Sequence, residues 1–185
     1  MSKQLERIDT ELAAWIKKQP LFFVATAPLS AGGHVNLSPK GGDAFCVLGA
    51  KEVAYQDFTG SGAETAAHLR ENGRIVIMFC AFEGPPRILR LHGRGTIVLP
   101  GGARFASLAK LFPENPGTRA FVHVAVEGVA TSCGYSVPLL QFTGYRDALD
   151  KWAQKKGPEG LKDYRMQKNQ LSIDGLPAFD AKGKS

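Results

Sequence analysis

RILRLHGRGTIVL, residues 87–99, is the stretch on which the fold turns. Leu89, Leu91, Gly93, Gly95, Ile97 and Leu99 fall on one face, and Arg90, His92, Arg94 and Thr96 fall on the other. A period of two held over this length is a β-strand with one face in a core and one in water. The two glycines on its apolar face weaken a strand and mark a sharp bend or a close approach of two backbones, so the sheet is expected to curve and close. RAFVHVAVEGVAT, residues 119–131, has the same character, with Val122, Val124 and Val126 expected inward and Phe121, His123 and Glu127 outward.

Shorter strands are expected on either side of these two. LFFVATA (21–27) and RIVIMFCAF (74–82) are apolar runs, and AFCVLG (44–49) with EVAYQD (52–57) reads as a strand pair. In HVNLS (34–38), Val35 and Leu37 are expected to face the core, leaving His34, Asn36 and Ser38 for a ligand. Leu5, Ile8, Leu12, Trp15 and Ile16 share one face at helical spacing until Pro20 stops it, which predicts an N-terminal amphipathic helix. Further helices are expected after Gly62, over GARFASLAKLF (102–112) and after Tyr145. No alternating strand–helix rhythm is present. The fold class is therefore mainly β: an antiparallel barrel or sandwich of about six or seven strands with peripheral α-helices, forming one domain over residues 1–185.

Composition narrows the functional classes. With 185 residues, 44% apolar and 22% charged, the chain can bury one good core. It has no apolar run near the roughly 18 residues of a membrane span and begins with a charged segment, so a cytoplasmic protein with no membrane partner is expected. The net charge of +6 favours anionic ligands, but no nucleic-acid motif accompanies it, so a nucleic-acid partner is not expected. The lysines of the last third alternate with helix-spaced apolar residues, as on a solvated helix face, and end in a tail, AKGKS. Cys46, Cys80 and Cys133 lie far apart in apolar surroundings and are expected to be buried free thiols. The histidines lack metal-ligand spacing, so no metal is assigned. Trp152 and Tyr164 read as packing residues.

Two polar constellations remain. Thr59-Gly60-Ser61-Gly62 leads from a strand into a helix, where unpaired N–H groups and the positive end of the helix dipole suit a phosphate. The same residues also make an ordinary strand-to-helix connection. In HVNLSPKGG (34–42) a polar strand face ends in a proline-locked turn that delivers Lys40, a phosphate partner or else a surface lysine. No side-chain motif for nucleophilic catalysis appears, so catalytic residues stay unassigned.

Taken together, FFVATA, HVNLSPKGG, VAYQDFTGSGAETAAHLRENGRIVIMF and RILRLHGRGTI, in this order and spacing, resemble the FMN-binding split-barrel family related to pyridoxamine 5'-phosphate oxidase. The resemblance runs from about Leu5 to Val129. It implies a split β-barrel homodimer with FMN in clefts between subunits. Carried onto this chain, Asn36, Leu37 and Ser38 would run beside the ring and ribityl chain, and Lys40 would approach the phosphate. Tyr55, Gln56 and Asp57 would border the cofactor, while Thr59, Ser61, Gly62, Glu64 and Thr65 would grip the phosphate. Two departures stand out. The oxidase carries arginine and lysine directly after the serine of this turn, where this chain has Gly62 and Ala63, and it closes on a basic substrate-binding segment, where this chain ends NQLSIDGLPAFDAKGKS. The function implied is an FMN-dependent oxidoreductase for a small soluble substrate; a deazaflavin-dependent reductase and a non-catalytic flavin- or haem-binding module are the alternatives.

Overall fold

The computed structural model describes residues 3–179. Eight strands, β1 (Lys3–Leu5), β2 (Leu21–Thr26), β3 (Asn36–Gly41), β4 (Phe45–Gly49), β5 (Glu52–Phe58), β6 (Arg74–Cys80), β7 (Ile88–Val98) and β8 (Thr118–Ser132), form one sheet. Its order is β3-β2-β6-β7-β8-β5-β4, with β1 added to β8, and every pairing is antiparallel. Four helices accompany it: α1 (Thr10–Lys17), α2 (Glu64–Glu71), α3 (Ala103–Ala109) and α4 (Ala148–Lys168). The mainly β, curled antiparallel sheet agrees with the expected fold class. None of the helices is long and apolar enough to cross a membrane among the described residues.

The glycines of β7 act as the sequence implies. A Cβ on Gly93 would lie 2.2 Å from the carbonyl oxygen of Ala125 on β8, so only glycine permits this approach of the two backbones. At that level Gly93 pairs with Val126 while His92 pairs with Gly128, which leaves Glu127 unmatched as a bulge. The bulge switches which residues of β8 face inward: Val122, Val124 and Val126 before it, Val129 after it. A Cβ on Gly95 would meet the methyl groups of Leu69 at 2.9 Å, so this second glycine makes room for α2.

Three expectations need correction. Phe121 and His123 face away from the main core yet are buried; α3 and the chain after it cover Phe121 in a second cluster with Ala54, Val98, Leu108 and Phe112. The N-terminal helix starts at Thr10, where the Asp9 carboxylate caps it by accepting the Leu12 N–H at 2.8 Å; Leu5 belongs instead to β1, opposite Val129. That strand is why the count is eight. Finally, Cys133 is exposed, whereas Cys80 is buried and Cys46 half-buried; all three are free.

α4 is two helical pieces joined at Gly157, whose φ of 65° breaks the helix just before Pro158. Trp152 and Tyr164 meet edge to face at 5.0 Å across this break, the packing role expected for them. Lys151 and Lys162 form only exposed ion pairs along the helix, as on a solvated face; residues 180–185, including the basic tail, lie outside the described residues.

Candidate functional site

Strand β3 sits at the sheet edge, which is where Pro39 is tolerated, since a proline has no N–H for a second neighbour. Its facing is the reverse of the sequence expectation. Val35 and Leu37 are exposed, at 75% and 63%, while Asn36, Ser38 and Lys40 are the half-buried set. Hydrogen bonding explains the reversal. The Asn36 amide donates to Thr26 Oγ1 at 3.1 Å and to Thr65 Oγ1 at 3.0 Å, and its oxygen accepts from Ser38 Oγ at 3.1 Å, so the polar face has partners and the apolar one has none.

This network extends to His68 on α2, whose Nδ1 lies 3.0 Å from Thr26 Oγ1 and whose Nε2 is buried without a partner. Burial lowers the His68 pKa, against the opposing pull of Asp174, Glu71 and Glu64, and favours a neutral ring. The sequence placed this histidine on a helix without connecting it to β3; only the pairing of β2 with β3 and the seat of α2 bring the three together.

The Thr59–Gly62 turn lies at the start of α2. Ala63 occupies the N-cap with no side-chain hydrogen bond, and Ser61 and Gly62 are exposed. Thr59 is buried, its hydroxyl donating to the Gly117 carbonyl at 2.9 Å and accepting from Arg165 Nε at 2.8 Å. Asn169 donates to the carbonyls of Gly60 at 2.8 Å and Ser61 at 3.5 Å. Glu64 has one carboxylate oxygen close to Gly62 and uses the other to accept the Ile173 N–H at 3.3 Å. Nearby, Asp174 accepts from His34 N at 2.8 Å and faces His34 Nδ1 at 2.6 Å; these contacts lower the Asp174 pKa.

At the other end of the same face, Lys40 is a strand residue and not the tip of a turn. The turn comes later, at Gly42 and Asp43, with φ of 79° and 53°. Lys40 Nζ bonds Asp57 Oδ1 at 2.9 Å, and Arg119 Nε bonds Asp57 Oδ2 at 2.7 Å. Burial acts to raise the Asp57 pKa, but the charges of Lys40 and Arg119, with their hydrogen bonds, outweigh it and hold the carboxyl below its ordinary value. Tyr55 is fully buried against Phe22 beneath the Lys40 ammonium, its hydroxyl unpartnered; burial, then the nearby Asp57, raise its pKa well above normal. Gln56 is fixed by bonds to Thr118 Oγ1 at 2.6 Å and the Pro113 carbonyl at 3.1 Å.

Lys40, Gln56, Thr59 and Gly60 line a cavity of about 1310 Å³, whose other walls include Trp15, Arg87 and Tyr145. The residues singled out from sequence thus fall into two groups. Asn36, Ser38 and Thr65 are hydrogen-bonded together beside Ser61, Gly62 and Glu64 at the α2 start, whereas Lys40, Gln56 and Thr59 reach the cavity. Tyr55 and Asp57 are buried and do not line the cavity, Tyr55 lying beneath Lys40 and Asp57 bonding Lys40 and Arg119, and Leu37 points away from both groups. Arg119, Arg165 and Asn169 escaped the sequence reading. The one available signal was Asp57 itself: an acid in an apolar strand, with no basic neighbour in sequence, requires a cation from elsewhere.

A family model described as pyridoxamine 5'-phosphate oxidase matches residues 8–133. The chain belongs to the pyridoxamine 5'-phosphate oxidase family. It is similar to the pyridoxamine 5'-phosphate oxidase family protein ustO of Aspergillus flavus, at 41% identity over 94% of this chain and 76% of that protein. Among solved structures, HupZ of Group A Streptococcus superposes with a TM-score of 0.51 at 25% identity, covering 66% of this chain and 91% of that one. A putative pyridoxamine 5'-phosphate oxidase of Lactobacillus delbrueckii superposes at 0.52 with 18% identity, covering 69% of this chain and 98% of that one, a likeness of fold. This family member carries its additional groups, Arg165, Asn169 and Asp174, beyond the matched residues.

Proposed function

We propose that the chain is an FMN-dependent oxidoreductase acting, as a cytoplasmic homodimer, on a small soluble substrate. The observation that carries this reading is the single face of β3. Asn36, Ser38 and Lys40 run about 13 Å along it, from the start of α2 to the cavity. FMN has matching ends, a phosphate dianion and a flat ring joined by a polar chain. The donors present fit such a molecule: exposed hydroxyl and amide groups without a side-chain cap at one end, where the Glu64 carboxylate beside Gly62 has to turn away from a phosphate, and a cavity with a fixed cation at the other.

FMN supplies reversible hydride and electron transfer, which no side chain offers. In this reading Ser61 and Thr65, with the first N–H groups of α2, bind the phosphate, and Asn36 and Ser38 border the ribityl chain. Gln56 and Lys40 border the ring, Lys40 being held in place by Asp57. The proposed place of Lys40 therefore moves from the phosphate, where family resemblance put it, to the ring.

Two substitutions separate these roles. Ser61→Ala should weaken FMN by roughly 10-fold to 150-fold, the loss of one hydrogen bond to a charged group, while leaving riboflavin binding unchanged. Lys40→Met should weaken FMN and riboflavin equally. Fluorescence titration of both ligands reads the outcome; equal losses of the two ligands in Ser61→Ala would remove the phosphate from the α2 start.

The homodimer is supported by apolar surface left uncovered on one chain. Val35, just before β3, and Leu37 on it are exposed, as are Tyr135 and Leu139 on the irregular segment before α4. Sedimentation should show a dimer, in keeping with interfaces of such obligate pairs that commonly exceed roughly 2,000 Å². A stable flavin-bound monomer would contradict it.

A further inference from the structure

The C-terminal part of the chain, outside the residues that match the family, reaches the proposed flavin site, and Asn169 is the side chain there that bonds two carbonyls of the turn before α2. Asn169 ends α4 and is fully buried. Its amide nitrogen donates to the carbonyls of Gly60 at 2.8 Å and Ser61 at 3.5 Å, and its oxygen accepts from Arg119 Nη1 at 2.9 Å. Arg119 in turn holds Asp57 at 2.7 Å, and Asp57 holds Lys40 at 2.9 Å. A continuous series of hydrogen bonds therefore joins the turn before α2 to the lysine that lines the cavity.

Peptide geometry gives this arrangement its consequence. In a trans peptide the carbonyl of one residue and the N–H of the next point in opposite directions. The described peptides are all trans. With the Gly60 and Ser61 carbonyls both drawn toward Asn169, the N–H groups of Ser61 and Gly62 are turned away from it, on the exposed side of the turn. Successive N–H groups turned to one side form an anion-binding concavity. Arg165 fixes the base of the same turn through Thr59 Oγ1 and the Thr118 carbonyl.

We propose that Asn169 is a positioning residue of the cofactor site: it orients the Ser61 and Gly62 N–H groups toward the phosphate and makes the C-terminal region part of that site. The inference rests on the flavin reading above. It assigns Asn169 no contact with the cofactor, and its effect must therefore appear as selectivity for the phosphate.

The test compares FMN and riboflavin binding to the full chain in wild type, Asn169→Asp and Asn169→Ala, with thermal melts of each ligand-free protein. Asn169→Asp keeps the acceptor for Arg119 but loses the donors to the turn, so it separates the turn from the ion-pair network. The expected result is a loss of FMN affinity of roughly 10-fold in Asn169→Asp with riboflavin affinity unchanged, and at least as large a loss of FMN affinity in Asn169→Ala, which also removes the acceptor of Arg119. Amide NMR adds a readout that survives a partly destabilised variant: in wild type the Ser61 and Gly62 N–H signals should shift with FMN and not with riboflavin, and in Asn169→Asp the FMN shift should shrink. Equal losses of both ligands in Asn169→Asp would overturn the proposal and leave Asn169 a stabilising residue only; unchanged FMN binding in that variant would overturn it too. Wild type that binds FMN no better than riboflavin would refute the phosphate reading, and wild type that binds neither would refute the flavin reading, each taking the positioning role with it.

Discussion

Asp57→Asn is expected to cost about 3 to 5 kcal/mol of folding free energy, the penalty of removing one partner from a buried ion pair. The Asp57 side chain is 4% exposed and its two oxygens are engaged by different cations, Lys40 and Arg119. Without the carboxylate, Arg119, itself 8% exposed, is left with an uncompensated charge in the interior. Lys40→Met should cost much less, because Lys40 is the more exposed cation and Asp57 keeps Arg119. Urea unfolding of the two variants reads the difference; equal costs would show that the carboxylate stabilises the fold no more than Lys40 does.

The same carboxyl makes stability pH-dependent, and the sign follows from the direction of its shift. Folding lowers the Asp57 pKa, because Lys40 and Arg119 outweigh the effect of burial. Its contribution is therefore present above the unfolded-state value of about 3.9 and is lost as pH falls below that through the folded value. Wild type should lose stability more steeply than Asp57→Asn on acidification below about pH 4. Parallel pH profiles for the two proteins would contradict the assignment.

Gly93→Ala is expected to destabilise by about 3 kcal/mol or more, at the upper end for overpacked sites, since the shortest contacts of the new Cβ are with main chain, which cannot rotate aside. The distance of 2.2 Å to the Ala125 carbonyl requires β7 and β8 to separate at the bulge, and with them the curvature of the sheet. Gly95→Ala is the control two residues on. Its Cβ would press on the methyl groups of Leu69 at 2.9 Å, which can rotate aside, and touch Ile75 at an ordinary 3.5 Å, so a cost of about 1 kcal/mol is expected. Thermal or urea unfolding that ranks the two variants in the opposite order would show that the β7–β8 approach is not the constraint.

Those glycines also show what was legible in the sequence. Alternation along residues 87–99 gave the strand, and two glycines on its apolar face gave the close approach, because both signals are local properties of a pleated chain. The facing of β3 was not local. Val35 and Leu37 look like a core face until Thr26 and Thr65 are seen to satisfy Asn36 from two other elements, which turns the polar side inward. Lys40 looked like a turn residue for the same reason, its partner Asp57 lying two strands away in sequence and its second cation, Arg119, on β8. The bulge at Glu127 changes the parity of β8, and no period-two reading can anticipate such a shift. Asn169 and Arg165 lie on a helix whose sequence shows only packing and solvated positions, so their bonds to the Thr59–Gly62 turn emerge only when α4 is folded against β8.

The most direct measurement of the central claim is the visible spectrum of freshly purified protein, with mass spectrometry of any released cofactor and a titration of FMN into stripped protein. The account predicts a flavin spectrum, a released mass equal to that of FMN, and one FMN rebound per chain. A colourless preparation that also fails to bind added FMN would contradict it.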